Sequence, residues 1–384
     1  MIYPINRPPP SAEYIFPIFF LTLNPVKILP IIIIMMAAAF APLWLVSFPE
    51  TGRDVAAECE SVPRTRRARI VAAGDLMQHM PQVTAARRAD GRYDYRESFR
   101  HAARYFREAD LAIVNLETTL SDEGPYSGYP CFRSPSEVAD AMRDMNIDLA
   151  VMANNHCCDR GASGIVSTTD ILDRRGIART GVFRDSLDYE LNRIAYLKRG
   201  GISFAVVNYT YGTNGIPVPR GTMVNMLDTI VMARDLVSID RRRADCVIAA
   251  VHWGNEYERR PNGDQRAVAA FLKRHGVDII IGSHPHVVQP FEIDPDGGPT
   301  FYSLGNFVSN QRKRYCDGGL MAVVDVTLAP DGRLSYEAEA IPVWVLCPGY
   351  VILPPEVGDT LRMNADARRA YGQFMSDTRE LSGI

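Results

Sequence analysis

The stretch IIGSHPHVVQP, residues 280–290, places His284 and His286 one proline apart, directly after a run of β-branched residues. Such a run predicts a buried strand, and the two histidines follow its carboxyl end. Residues i and i+2 of an extended backbone face the same side, and Pro285 restricts the link between them. The stretch therefore predicts two imidazoles facing one site, although a single histidine in such a place is more often held by hydrogen bonds.

The pattern of an apolar strand followed by a polar loop recurs along residues 69–355. The predicted strands are RIVAAGD (69–75), DLAIVNLE (110–117), DLAVMANNH (148–156), GISFAVVNYT (201–210), ADCVIAAVHWG (244–254), VDIIIGSHPH (277–286) and TFYSLGNFV (300–308). Amphipathic helical stretches lie between them, which predicts an α/β fold with a mainly parallel sheet covered on both faces. Residues 319–346 alternate around an Asp-Gly turn and predict an antiparallel hairpin. Residues 356–384 are expected to form a helical tail.

Composition excludes several classes of protein. The 384 residues are 47% hydrophobic, enough for a substantial core, and the formal net charge of −3 lacks the basic excess typical of nucleic-acid binding. Seven irregularly spaced cysteines, with no CxxC pair, argue against a disulfide scaffold and a structural zinc ribbon.

The amino-terminal region carries a long apolar segment. Residues 28–46 contain no charge, and as a helix they would reach about 28 Å, close to the thickness of a bilayer core. Pro30 and Pro42 interrupt the run. We expect an uncleaved transmembrane anchor, with a cleaved signal segment as the alternative, and we assign residues 1–68 to this segment and a linker. Lys27 and Arg7 precede the span, which favours a main domain outside the cytoplasm.

Polar side chains with ligand atoms lie at five of the predicted strand ends. They are Asp75, Glu117, Asn155, His156, His252, His284 and His286. In an open α/β sheet these ends share the edge where ligands bind, so we expect the side chains to converge. Five of the seven histidines lie in these loops, at positions 79, 156, 252, 284 and 286. Mixed oxygen and nitrogen ligands suit zinc, manganese or iron, and we predict two divalent ions bridged by Glu117.

Six motifs carry a resemblance to a known family. They are AGDLMQH (73–79), VNLETTL (114–120), MANNHCCDRG (152–161), HWGNEY (252–257), GSHPHVVQP (282–290) and SLGNF (303–307). In this order and approximate spacing they resemble the CapA family of capsule-synthesis and poly-γ-glutamate biosynthesis proteins, which is similar to the calcineurin-like metallophosphoesterases. The resemblance covers residues 69 to about 350. It implies a four-layer αββα sandwich with a dinuclear metal site, presented outside the membrane within a polymer-synthesis or export apparatus.

The resemblance also implies roles for single residues. Asp75 and His286 resemble ligands of the first metal, and Glu117 resembles the bridging carboxylate. Asn155, His252 and His284 resemble ligands of the second metal. His156 resembles the general acid. The larger phosphoesterase pattern has a histidine where this chain has Met77. His79 is either a substitute ligand or a loop histidine held by hydrogen bonds. Asp159 either orients His156 or caps the following helix.

Three functions remain open on the sequence. The first is a metal-dependent hydrolase that acts on a phosphoester or on an amide of an anionic polymer such as poly-γ-glutamate. The second is a non-catalytic, membrane-anchored accessory subunit that binds polymer or synthase partners. The third is a sheet protein with purely structural histidines. Met77 favours the accessory role over a generic phosphatase, whereas the Asn155-His156 pair favours catalysis.

Overall fold

The computed structural model describes residues 64–294 and 297–383, which belong to one structural unit. The predicted anchor at residues 28–46, with nearly all of the predicted 1–68 segment, lies outside the described residues. Within the described residues, every helix is too short or too polar to span a lipid bilayer.

The described strands are numbered in chain order. They are β1 (Arg66–Leu76), β2 (Leu111–Leu116), β3 (Leu120–Ser121), β4 (Ser134–Pro135), β5 (Leu149–Val151), β6 (Ala178–Thr180), β7 (Val182–Phe183), β8 (Ala195–Arg199), β9 (Ile202–Thr210), β10 (Met223–Val224), β11 (Cys246–His252), β12 (Ile279–Ser283), β13 (Phe291–Ile293), β14 (Pro299–Phe301), β15 (Asn306–Val308), β16 (Gly318–Leu328), β17 (Leu334–Leu346) and β18 (Val351–Leu353).

The described helices are numbered in the same way. They are α1 (Met80–Ala86), α2 (Arg96–Phe99), α3 (Ala103–Arg107), α4 (Glu137–Asp144), α5 (Gly161–Arg174), α6 (Ser186–Asn192), α7 (Thr229–Val237), α8 (Gly263–Arg274), α9 (Pro355–Gly358) and α10 (Ala365–Ser382). Strands and helices alternate along most of the chain, so the predicted α/β class is confirmed.

Most of the strands form two large sheets. The first has the order β18-β17-β16-β1-β2-β5-β6, with β15 also paired to β1, and its β1-β2-β5-β6 part is parallel. The second has the order β13-β14-β12-β11-β9-β8, with β9, β11, β12 and β14 parallel and an antiparallel strand at each edge. The strand pattern alone had indicated one mainly parallel sheet, which was wrong, whereas the two sheets implied by the family resemblance are present. The predicted hairpin is confirmed, since β16 and β17 pair along their length in antiparallel register.

Apolar side chains alternate along the central strands and fill three buried clusters. On β1, Ile70 and Ala72 face a cluster that also contains Phe204 of β9 and Ile248 of β11, so this cluster lies between the two sheets. Val71 faces the other way, toward a cluster completed by side chains of α2 to α5. A third cluster packs the outer face of the second sheet under α7 and α8. Burial of each large side chain contributes about 1.5–3 kcal/mol to folding.

The carboxyl-terminal helix packs on the first sheet. Tyr371, Phe374 and Met375 of α10 contact Trp344 and Leu353 in a small apolar cluster of their own. The helix begins where the side chain of its N-cap residue, Asn364, accepts a hydrogen bond from the Ala367 backbone N–H at 2.8 Å. The predicted helical tail thus contains a helix fixed to the sheet. At the other end of the domain, β1 begins at Arg66, three residues before the predicted start.

The strand registers bring two rows of polar residues to one edge. In the first sheet, Asp75 lies opposite Asn115 of β2 and Asn306 of β15. In the second sheet, His252 lies opposite Ser283 of β12 and Thr210 of β9. The two edges meet, because the backbone N–H of His284 reaches Oδ1 of Asp75 at 3.4 Å. The ends of both sheets therefore build one site.

Candidate metal centre

Asp75 is fixed by a close approach between two backbone segments. Its backbone N–H donates to the carbonyl of Gly305 at 2.9 Å. At the preceding position, a Cβ on Gly74 would lie only 2.1 Å from the same carbonyl oxygen. Only glycine fits there, so the sequence Gly74-Asp75 is what places the carboxylate at the end of β1.

Three of the predicted ligands form a tight group. One ligand atom each from Asp75, Glu117 and His286 lies within 4.8 Å of the others, and all three side chains are buried. His286 Nδ1 lies 2.9 Å from Asp75 Oδ2, and His286 Nε2 lies 3.9 Å from Glu117 Oε1. Two carboxylates and an imidazole at this spacing match the ligand set of a divalent cation.

A second set of ligand atoms adjoins the first through Glu117. His252 Nε2 lies 2.9 Å from Asn155 Oδ1 and 3.7 Å from Glu117 Oε1. The Asn155 amide nitrogen donates to Asn214 Oδ1 at 3.1 Å, which directs its oxygen toward His252. The His284 ring centroid is 4.8 Å from that of His252. Glu117 Oε1 therefore lies between the two sets, where a bridging carboxylate oxygen belongs.

The backbone conformation at the two histidines of the HPH stretch differs from the predicted one. Strand β12 ends at Ser283, and His284 and His286 have φ angles of 99° and 58°. The predicted extended geometry is therefore wrong, although the ring centroids still lie 6.0 Å apart. Positive φ at a residue with a side chain costs about 1–3 kcal/mol and occurs mainly at functional sites. The Tyr257 backbone N–H, which donates to the Pro285 carbonyl at 2.8 Å, supports this turn.

The electrostatics of the buried residues favour a bound cation. Burial, reinforced by the nearby Asp75 carboxylate, raises the pKa of Glu117 well above its usual range. Burial and the neighbouring imidazoles lower the pKa of His252 far below its ordinary value, and the same causes lower the pKa of His284 to about 3. The imidazoles are thus neutral and present lone pairs beside carboxylates that lack a compensating charge.

Two buried polar atoms test whether the residues fit a metal ion. Glu117 Oε1 and His284 Nδ1 have no hydrogen-bond partner among the described residues. Leaving such an atom unsatisfied costs about 1–3 kcal/mol, and more when it carries charge. A divalent cation with mixed oxygen and nitrogen ligands would satisfy both atoms. The ligand set predicted from the sequence therefore fits such an ion.

His156 is oriented by the carboxylate three residues further along the chain. Its Nδ1 lies 2.8 Å from Asp159 Oδ2, which also accepts the Phe132 backbone N–H at 2.6 Å. The Phe132 ring packs edge-on against the imidazole, with 4.6 Å between centroids. Helix α5 has Arg160, not Asp159, at its N-cap. Of the two interpretations of Asp159, the geometry supports the one in which it orients His156.

His79 is held by hydrogen bonds outside the group of three. Its backbone N–H donates to Gln82 Oε1 at 2.9 Å, and its Nδ1 accepts the Asn310 backbone N–H at 3.3 Å. Burial lowers its pKa to about 4. Met77 is also buried, and its backbone N–H donates to the Val308 carbonyl. These contacts match a loop histidine rather than a substitute ligand.

The sequence did not lead us to predict two residues that lie at the site. Asn115 Nδ2 donates to Asp75 Oδ1 at 2.9 Å and to Glu117 Oε2 at 3.3 Å, so it links the two carboxylates. The sequence contained a signal for it, since Asn115 lies two residues before Glu117 in the predicted strand 110–117. Tyr211 packs on His284 with 4.4 Å between ring centroids and is 44% exposed. Its strand was predicted, but the end of that strand carries no carboxylate or imidazole to draw attention to it.

Two further residues of the six motifs have clear places. Asn306 Oδ1 lies 3.1 Å from His286 Nδ1, and its Nδ2 donates to the Cys316 carbonyl at 2.8 Å, so it ties the ligand to a neighbouring loop. Trp253 is buried, and its indole N–H donates to the Tyr302 carbonyl at 2.8 Å. It supports the fold and does not line the mouth of the site.

Several known proteins are similar to this chain. The family model "Bacterial capsule synthesis protein PGA_cap" matches residues 69–311. A PGA biosynthesis protein CapA of Bacillus subtilis is 30% identical over 244 residues, 62% of this chain and 62% of that protein. A capsule biosynthesis protein CapA of Bacillus anthracis is 29% identical over 253 residues, 62% of this chain and 59% of that protein. The match therefore spans about three fifths of each relative. A novel phosphatase from Mycoplasma pneumoniae is 14% identical with a TM-score of 0.45, covering 72% of this chain and 94% of that one.

Proposed function

This chain belongs to the family of bacterial capsule synthesis proteins, and from that premise we propose that it is a metal-dependent hydrolase acting on an anionic polymer in polyglutamate capsule synthesis or export. The observation that carries the proposal is the position of Glu117 Oε1. This buried and unpaired atom lies 3.7 Å from His252 Nε2 and 3.9 Å from His286 Nε2. A carboxylate oxygen in this position suits a pair of divalent ions.

Each ligand set would hold one ion. Asp75 and His286 would hold the first ion, Asn155, His252 and His284 would hold the second, and Glu117 would be a ligand of both. Two divalent ions supply a hydroxide nucleophile at neutral pH and polarise a phosphoryl or carbonyl oxygen. Manganese, zinc or iron would suit these ligands, since they mix nitrogen with oxygen.

His156 supplies the proton that the leaving group needs. Hydrolysis of an amide adds the oxygen of water to the carbonyl carbon and breaks the C–N bond, and the departing nitrogen takes up a proton. Asp159 engages Nδ1 of His156, which leaves Nε2 as the nitrogen that donates. The Phe132 ring beside the imidazole restricts the access of water to this pair.

Metal analysis of the purified full-length chain tests the metal site. We expect one or two transition-metal ions per chain, and His284→Ala should lose most of them because a ligand of the second ion is gone. His275→Ala is the control, since His275 caps the far end of α8 and contacts Phe271. The absence of bound metal from both the wild type and the control would overturn the metal site.

Turnover is a separate test. We expect the metal-loaded chain to hydrolyse γ-glutamyl peptides or model phosphoesters in the presence of manganese, zinc or iron. His156→Ala should abolish turnover and keep the metal, because His156 is a proton donor and not a ligand. A chain that binds metal but shows no turnover on any substrate would contradict the hydrolase.

One observation favours the accessory role as a second candidate. Met77 is buried at the end of β1, where the larger phosphoesterase pattern carries a histidine ligand. A thioether is a poor ligand for manganese or zinc compared with an imidazole. The accessory subunit would keep the site to bind polymer or a synthase partner, and metal binding without turnover is the result expected of it.

We also infer that residues 28–46 anchor the chain with the domain outside the cytoplasm. The support is the uncharged nineteen-residue run and the basic residues before it. The chain should resist extraction at alkaline pH, and alkaline phosphatase fused to its carboxyl terminus should be active in cells. An inactive fusion, or release of the chain by alkali, would contradict the anchor.

A further inference from the structure

One cation beside the metal centre stands apart from the other charged residues. Of the 42 basic residues in the chain only four are lysines, and Lys313 is one of them. Arg312 donates to the carbonyls of Val345 and Asp317, and Arg314 pairs with Asp377. Lys313 is exposed, and no carboxylate of the described residues lies within 4.0 Å of its ammonium. Its charge is therefore available to a ligand.

An aromatic ring joins this lysine to the metal centre. The Lys313 ammonium lies 3.9 Å from the centroid of the Tyr257 ring, a cation–π contact that fixes the position of the charge. The same ring lies 6.4 Å from the ring of His286. Tyr257 is 39% exposed, and its backbone N–H holds the turn between the two histidines. Tyr257 thus lies between the lysine and a metal ligand.

The loops that carry Tyr257 and Lys313 are tied to each other. The ring of Tyr315 lies 4.0 Å from the guanidinium of Arg259 and 4.8 Å from that of Arg314. Arg259 donates to the Asp377 carbonyl at 2.7 Å, and Arg314 pairs with the Asp377 carboxylate at 3.0 Å. Asp377 belongs to α10, so one helix holds both loops in place. The lysine and the tyrosine therefore have fixed positions beside the metal centre.

We propose that Lys313 and Tyr257 form a subsite that binds a carboxylate of a γ-linked glutamate chain next to the bond that is cleaved. This assignment rests on the proposed hydrolase function and identifies residues that bind its polymer substrate. A γ-linked chain carries a free α-carboxylate on every residue, so a bond held at the metal centre has a carboxylate close by. The ammonium is a compact charge suited to such a group. The carboxylate of Glu256, beside the Tyr257 hydroxyl, repels an anion on that side and leaves the side of Lys313.

Binding to two matched ligands tests the subsite on the full-length, metal-loaded chain. The probes are γ-linked pentaglutamate and the same chain with its α-carboxylates converted to carboxamides, measured by calorimetry. We expect the acid to bind about tenfold more tightly than the amide, and Lys313→Met to lose most of this difference. Lys313→Arg should keep part of it because the charge remains. Equal binding of the two probes to the wild type, or an unchanged preference in Lys313→Met, would overturn the subsite.

The chain offers a matched control lysine. Lys198 is exposed on β8 and lies opposite Ser203, at the start of β9, whereas the site adjoins the far end of β9 about 20 Å away. Lys198→Met should keep the full preference for the acid. Because lysines are so few, reductive methylation read by mass spectrometry can also follow Lys313 in the wild type. Pentaglutamate should protect Lys313 and leave Lys198 reactive, and equal reactivity of Lys313 with and without the probe would contradict the assignment.

Two further measurements separate this assignment from other outcomes. Metal content is determined on each sample. A chain that binds no metal would contradict the proposed function. A metal-loaded chain that does not prefer the acid would contradict the subsite alone. Linear polyphosphate of matched charge is the third probe. Tighter, Lys313-dependent binding of polyphosphate than of pentaglutamate would replace the carboxylate by a phosphate and overturn the assignment.

Discussion

His156 Nδ1 lies 2.8 Å from Asp159 Oδ2, and both side chains are buried beside the metal centre. The short loop between β5 and α5 brings the two together. An imidazole whose Nδ1 donates to a carboxylate has a fixed tautomer and a fixed ring orientation. Asp159 thus acts through His156 and does not itself contact a substrate.

Asp159→Asn should lower turnover by about 10- to 100-fold, because an amide can present its N–H to Nδ1 and favour the wrong tautomer. The metal content should stay that of the wild type, since Asp159 is not among the ligands. Turnover and bound metal are measured on the same preparation. A variant with full turnover would show that Asp159 serves only the Phe132 backbone N–H.

Gly74→Ala should unfold the site by displacing Asp75. The added Cβ would lie 2.1 Å from the Gly305 carbonyl, so the free energy of unfolding should fall by at least about 2 kcal/mol. Gly372→Ala is the control, because Gly372 lies within α10 with open space around it, and there the change should stabilise by about 0.5–1 kcal/mol. Urea unfolding measures both, and equal stability of the two variants would contradict the close approach.

Much of the fold followed from the sequence, because strand and helix patterns are local. The convergence of Asp75 and Glu117 also followed, since the carboxyl ends of neighbouring parallel strands share an edge. His286 joins them from the second sheet, so that part of the convergence depends on how the two sheets pack. The division into two sheets followed from the family resemblance and not from the strand pattern, because an apolar strand buried on both faces has the same sequence pattern in either sheet. The left-handed backbone of His284 and His286 was equally hidden, since tertiary contacts and not the local sequence stabilise that strain.

The metal-free chain should lose stability as the pH falls, and His284 should account for part of the loss. The pKa of His284 is lowered from 6.5 to about 3 in the folded state, so between these values the unfolded chain binds a proton that the folded chain does not. This contribution is on the order of a few kcal/mol and is lost as the pH falls from about 6.5 toward 3. Urea midpoints in chelator should fall less steeply with pH for His284→Gln than for the wild type. His275→Gln should keep the wild-type slope, and identical slopes for all three would contradict the shift.

Met77→His should strengthen metal binding. Met77 is buried and follows β1 directly, two residues after Asp75, at the position where the larger phosphoesterase pattern carries a histidine ligand. We expect the dissociation constant of the first metal to fall by at least about tenfold. Loss of a residue that only supports a ligand already changes metal affinity by about that factor, and an added ligand should do at least as much. Met77→Leu keeps the volume without a ligand atom and should bind metal as the wild type does. A histidine variant that matches the leucine variant would show that position 77 does not reach the ion.

Asp377 should control the order of the loops around the site while adding little to the stability of the domain. Its carboxylate pairs with Arg314 at 3.0 Å and accepts a hydrogen bond from Gln373. The Arg314 side chain is mostly exposed to solvent, so Asp377→Ala should change the free energy of unfolding by less than about 1 kcal/mol. Loss of the pair frees the loop that carries Lys313, and amide hydrogens at residues 309–316 should exchange faster. Asp366→Ala is the control, because Asp366 pairs with Arg369 near the start of the same helix. Faster exchange in both variants would mean that α10 itself loosens, whereas unchanged exchange in Asp377→Ala would show that Arg259 and Tyr315 hold the loop without the carboxylate.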